Sequence, residues 1–175
     1  MLAKAIGGLG RLRFVACLGL FSLVGCGDAP KDVAEAVEAD VFRHGERLFQ
    51  RYCQHCHQTH GRGMPGTFPP LATSEWLHGP VEKPIAIVLL GLQGPINREG
   101  VLFNGVMPGL AERMSDAEIA AVLSHIRKRW GGIEDPVDAQ TVARIRNLLG
   151  DRRSLWTEAE LLRAYNDNSF KASSR

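Results

Sequence analysis

Five consecutive residues, Cys53-Gln54-His55-Cys56-His57, restrict the fold and chemistry more than anything else in this 175-residue chain. Two thiols with two residues between them stand about one helical turn apart. C-x-x-C-H is the pattern for covalent attachment of a c-type haem. The thiols add across two vinyl groups on one porphyrin edge, and the histidine that follows is carried under the iron as proximal ligand. Two other chemistries use the same residue types. A thioredoxin-like redox pair wants a strand–helix setting, whereas residues 40–52 are helical in pattern, with Val41, Leu48, Phe49 and Tyr52 as apolar members. A zinc site drawing on Cys53, Cys56, His57 and His60 lacks the second, separated ligand pair that is usual. His44, His55 and His60 are expected at the surface.

The remaining cysteines have separate places. Lys4, Arg11 and Arg13 precede an apolar run from Phe14 to Val24 that contains Cys17 and is followed by Gly25-Cys26. A positive start and a short apolar stretch read as a secretory signal. The stretch falls well below the roughly 20 apolar residues of a membrane-spanning helix, although an uncleaved helix is the alternative. Leu23-Val24-Gly25-Cys26 resembles the bacterial lipoprotein cleavage box. That resemblance implies a signal peptide over residues 1–25, lipidation of Cys26, and a lipid-anchored protein on the periplasmic side of the cell envelope. More than one acyl chain gives stable membrane attachment. Residues 26–40 form an acidic tether, with Asp28, Asp32, Glu35, Glu38 and Asp40 against Lys31. Ala34–Ala39 either stays flexible or extends the next helix backward.

Composition excludes little beyond nucleic acid. The formal net charge is +2, there is no basic block, and the 45% hydrophobic and 23% charged shares are those of an ordinary globular chain.

From Asp40 to Gly131 the sequence resembles the class I, mitochondrial-type c-type cytochromes, at several separate points. The resemblance implies an all-α fold, a small helical shell round one covalent haem c, with the domain over residues 41–131. Gly45 and Phe49 match the family's glycine and aromatic where its first and last helices cross. In Phe68-Pro69-Pro70-Leu71, Pro69 is expected to offer its carbonyl to the proximal histidine, with Pro70 as the alternative, and Leu71 to pack on the haem. Such a hydrogen bond fixes the imidazole's orientation and basicity. Asn104-Gly105-Val106-Met107-Pro108-Gly109 matches the family's G-x-M-P pattern and makes Met107 the expected distal ligand. A thioether favours ferrous iron, and Pro108 keeps the sulfur's segment out of a helix. Met64 lies too close to His57 to reach the opposite face, and Met114 is near the next helix. Trp76 and Asn104 are candidates for the haem propionates. His125 stands where the family has an aromatic, which implies weaker packing between the helices. The runs Gly91–Ile96 and Phe103–Pro108 resemble cytochrome modules of periplasmic dehydrogenases and related respiratory complexes. These features imply a single-electron carrier that serves redox partner proteins and has no small-molecule substrate. The alternative is a haem enzyme or gas sensor with an open sixth position.

Helix signals frame this region. Pro84, the apolar run Ile85–Leu90 and Gly91 predict a short middle helix. Ser115-Asp116-Ala117-Glu118 is a capping box leading into Ile119, Val122, Leu123, Ile126 and Trp130 on one face, stopped by Gly131 and Gly132. Residues 132–175 form a helical C-terminal extension. Val142, Ile145, Leu148 and Leu149 are its amphipathic stripe, Thr157-Glu158-Ala159-Glu160 is a second capping box, and a disordered end starts near Asn166. An isolated helix of this length is marginal in water. The extension is therefore expected to dock on the domain with Trp156 in the contact; ordering on a partner is the alternative.

The leader reading has a direct check. Cys26→Ser should abolish acylation and the processing linked to it, measured by detergent partitioning and N-terminal mass spectrometry. A wild-type protein that begins elsewhere and carries no acyl mass would remove the lipoprotein reading.

Overall fold

The structure is a computed structural model and describes residues 31–170. The leader, Cys17, Cys26 and the first residues of the acidic stem lie outside the described residues. Helix α1 (Lys31–Tyr52) runs straight into the haem-attachment motif, whose second half is the single turn α2 (Gln54–His57). The second half of the acidic stem is thus helical and continuous with α1. Among the described residues no helix is long and apolar enough to cross a membrane.

Helix α3 (Glu82–Leu90) is almost wholly apolar, and Pro84 to Leu89 are buried. Gly91 ends it at φ 83°, a conformation that favours glycine. Helix α4 (Asp116–Gly131) starts at Ser115 with both halves of the predicted capping box formed. It stops at Gly132, which is left-handed. Glu118 is held below the usual carboxylate range by the Ser115 backbone and hydroxyl. Helices α1 and α4 cross at Gly45, where an added Cβ would lie 2.0 Å from the Ala121 carbonyl oxygen. Beside the crossing Phe49 packs on Trp130 at 5.0 Å between centroids. His125 lies 5.8 Å from Phe49 and edge-on to Trp130, so the histidine supplies the ring contact it was expected to weaken.

The expected small helical fold is the one observed, with a few short strands added to it. The protein is mostly helical, but residues 91–108 form four short strands: β1 (Gly91–Gln93), β2 (Ile96–Arg98), β3 (Val101–Phe103) and β4 (Val106–Pro108). β2 and β3 make a hairpin whose two turn residues, Glu99 and Gly100, both have positive φ, as a tight two-residue turn requires. β4 returns antiparallel to β1, placing Met107 opposite Leu92. The strands escaped the sequence reading because each is three residues long, too short for an alternating pattern to register.

The extension continues the same body. Asp138 caps helix α5 (Ala139–Leu149), and Val142 and Ile145 are completely buried, although Leu148 of the predicted stripe is exposed. Strand β5 (Trp156–Thr157) adds parallel to β1, giving the order β4-β1-β5. Trp156 is buried and its Nε1 donates to the Ala86 carbonyl at 3.2 Å. Helix α6 (Glu158–Asn166) carries the second capping box, fully formed. Order also reaches beyond Asn166: Phe170 is buried against Trp156, its carbonyl accepting from Arg144 Nη1. Residues 171–175 lie outside the described residues.

Ser124 ties the extension to α4. It is completely buried, donates to the Ala120 carbonyl at 2.7 Å and accepts from the Val137 N–H at 2.8 Å. Ser124→Ala would strand that buried donor, at a cost of about 1–3 kcal/mol. Denaturant unfolding of the holoprotein should show a lower midpoint with an unchanged haem spectrum.

Candidate haem-binding site

One cavity opens where α1 meets α2, bounded by α3, α4 and the strands, and its lining is overwhelmingly apolar. Cys53, Cys56 and His57 line it, as do Pro69, Pro70 and Leu71, Trp76, and Met107. The structure therefore brings together every haem-contact residue expected from the sequence except Asn104, which is exposed and lies off the lining. His55 and His60 are exposed, as expected.

Local folding explains the placement. The end of α1 hands over to the motif through Phe49 carbonyl to Cys53 N–H, and Cys53 carbonyl then accepts from both Cys56 and His57 N–H groups. Burial first, and the neighbouring Cys56 second, push the Cys53 thiol up to about 12. The following loop is pinned back on the motif: Gly61 carbonyl accepts from Leu71 and Ala72, and His57 carbonyl from Gly63. This fold-back places the Pro69 carbonyl 3.1 Å from His57 Nδ1. A carbonyl can only accept, so Nδ1 carries the proton and the Nε2 lone pair is left free. Pro70 lines the cavity but makes no such bond. Burial lowers the His57 pKa, partly opposed by the Pro69 bond, which favours the neutral ring that can bind a metal.

Met107 sits half-buried in β4, pinned to β1 by the strand pairing. Met64 is 46% exposed and Met114 is a 4% exposed core residue, so of the described methionines only Met107 reaches the cavity. Gly91 and Gly109 allow the close approach: a Cβ on Gly91 would meet the Met107 carbonyl oxygen at 2.3 Å, and one on Gly109 the Leu89 carbonyl oxygen at 2.6 Å.

Sequence reasoning missed Arg98. It lines the cavity from β2, with its guanidinium carbon 4.0 Å from the Trp76 ring centroid. Nη1 donates to Glu158 at 2.7 Å and to the Asn97 carbonyl at 2.6 Å, while Nη2 is buried without a partner. No sequence signal marked it, because an arginine between two glycine-bounded turns reads as a surface residue. A donor set of two thiols, an oriented imidazole, a thioether and an orphaned cationic N–H around an apolar slot fits a haem, whose porphyrin is flat and apolar and whose propionates are anionic.

A mostly helical shell around such a slot, entered by C-x-x-C-H, defines a c-type haem protein. The family model described as Cytochrome c matches residues 42–130, and the chain belongs to that family, whose members carry covalently attached haem c. It is 44% identical over 111 residues to cytochrome c-552 of Thermus thermophilus, covering 58% of this chain and 83% of that protein. It is 30% identical over 89 residues to the cytochrome c subunit of the quinone alcohol dehydrogenase of Gluconobacter oxydans, half of this chain but 18% of that subunit. A similar 30% over 88 residues relates it to a nicotinate dehydrogenase subunit of Pseudomonas putida, of which it spans 7%.

The β1–β4 contact can be probed at Gly91. Gly91→Ala should drive β4 away from β1 and alter the optical spectrum of the haem. Gly100→Ala also replaces a positive-φ glycine but meets nothing within 4 Å. It should cost about 1 kcal/mol of stability and leave the spectrum unchanged.

Proposed function

We propose that this protein is an extracytoplasmic single-electron carrier whose haem iron is held between His57 and Met107. The observation that carries the reading is that one cavity is lined both by an imidazole of defined tautomer and by Met107, which among the described methionines is the one that reaches it and which sits on a paired strand. When bound, the haem supplies a one-electron iron couple. Cys53 and Cys56 would hold it covalently, Pro69 orients His57, and Leu71 would offer it an apolar contact. The β1 pairing holds the Met107 sulfur in place through both redox states. Constant ligation keeps the reorganisation on electron transfer small, because the charge changes while the partners do not. The exposed residues Thr67 and Val106 line one side of the cavity, leaving an edge open for exchange with another protein.

A peroxidase or gas sensor needs an open sixth position and a distal acid–base group. Among the described residues, His57 is the only histidine on the lining and no carboxylate stands there, which favours the carrier. The partner class is a dehydrogenase or respiratory complex, in keeping with the names of two relatives. Attachment to the membrane is through Cys26, on the periplasmic side. Neither nucleic acid nor a small-molecule substrate is part of this reading.

Met107→Ala should open the sixth position, lower the midpoint potential and let carbon monoxide bind the ferrous protein. Met64→Ala and Met114→Ala should leave the spectrum nearly unchanged, with Met114→Ala costing about 2–5 kcal/mol of stability as a core truncation. A Met107→Ala protein that keeps the wild-type spectrum and excludes carbon monoxide would end the assignment.

A further inference from the structure

We infer that Glu158, in the C-terminal extension, is a positioning residue for the haem: it holds Arg98 so that the free side of the guanidinium meets a haem propionate. The inference rests on the haem-carrier reading above and extends it to a part of the chain beyond the family match, which ends at residue 130.

The argument starts from the guanidinium's geometry. Its donors lie in a rigid planar fork, so fixing one nitrogen orients the others. Nη1 is committed to Glu158 Oε1 and the Asn97 carbonyl, and one face lies over Trp76. Nη2 alone is buried and unpaired, on a residue that lines the cavity. A buried cationic donor without a partner is costly, and the anionic groups brought into this cavity are the propionates. Both partners of the ion pair are largely withdrawn from solvent, their side chains 14% and 24% exposed, so the pair resists screening by salt. Glu158 is itself fixed as the first residue of α6, behind the Thr157 cap and next to the β1–β5 pairing. The other charged or titratable groups at this corner are Lys83 of α3, over both the Trp76 and Tyr165 rings, and Tyr165 of α6. Neither touches Arg98 Nη2.

Two effects of removing Glu158 have opposite signs. Loss of a bare negative charge favours the ferrous form and raises the midpoint potential. Release of Arg98 would leave a propionate, which is part of the haem itself, less compensated, which lowers the potential and raises the propionate's pKa. The test is the midpoint potential of the full-length holoprotein across pH for wild type, Glu158→Ala, Glu158→Gln and Arg98→Lys. The expected result is a fall for Glu158→Ala and Arg98→Lys, with the pH-dependent step moved upward. Glu158→Gln, whose amide oxygen still accepts from Nη1 but which carries no charge, should stand at or slightly above wild type with the pH-dependent step unmoved. A rise in both Glu158 variants, or no shift in Glu158→Ala, would overturn the proposal. The wild-type spectrum and its closure to carbon monoxide report the carrier reading separately, before any variant is compared. Far-UV circular dichroism and Trp156 emission confirm that α6 stays docked, and Glu158→Gln keeps the test decisive if Glu158→Ala loosens it.

Discussion

Helices α1 and α4 meet at a point with no room for a single methyl group. At Gly45 the backbone of α1 lies against the Ala121 carbonyl, and any side chain there would force the helices apart. The attachment motif at the haem site is downstream of this contact. α1 ends in the attachment motif, so its angle against α4 sets where Cys53, Cys56 and His57 stand. Phe49, His125 and Trp130 form an aromatic collar around the crossing. Trp130 in turn lies so close to Gly61 that a Cβ there would meet its ring at 2.5 Å. Gly61 is the residue whose carbonyl anchors the Leu71 end of the following loop. One close helix contact thus propagates, through a ring and a second glycine, to the loop whose Pro69 carbonyl orients His57.

The opposite face of the cavity is built on another principle. A methionine sulfur has three rotatable bonds behind it and no charge to hold it, so its backbone has to be fixed by other means. Strand pairing does this for Met107. β4 is tied to β1, and β1 follows α3 directly, with only the Gly91 turn between them. The loop that leaves β4 is fastened from the extension: Arg146 pairs with Asp116 and donates to the Ala111 and Met114 carbonyls. The segment that carries Met107 is thereby paired with β1, and the loop that follows it is bonded through all three nitrogens of the Arg146 guanidinium.

What the sequence made legible follows the range of each interaction. C-x-x-C-H, both capping boxes and the Gly91 and Gly132 helix ends depend on neighbours within a few residues, and all formed as read. Gly45, Phe49, Pro69 and Met107 came from resemblance, because their partners are distant in sequence and no local pattern identifies them. The short strands, Ser124 and Arg98 were illegible for a related reason. A serine on an apolar helix face and an arginine in a hairpin look like ordinary surface choices until Val137 and Glu158 are brought beside them. The contact of Phe170 with Trp156 was illegible too, because nothing in the polar residues around Phe170 points to a distant ring.

The extension is better understood as a third wall of the haem site than as an appendage. It reaches the site's surroundings by three routes that differ in physics. Trp156 does so by burial and by pairing β5 with β1, the strand that also holds β4. Arg146 does so by capping carbonyls on the loop behind Met107, and Glu158 by an ion pair with Arg98 in the cavity lining. Hydrophobic burial alone is non-directional and would allow α5 and α6 to slide over the domain. The two arginine contacts are directional: one joins the extension to Arg98 on the cavity lining, the other to the loop that follows β4. A body held by one apolar anchor and two separated polar clamps has a single seating. That seating lets residues far along the chain act on the electrostatics of a group attached at residues 53–57.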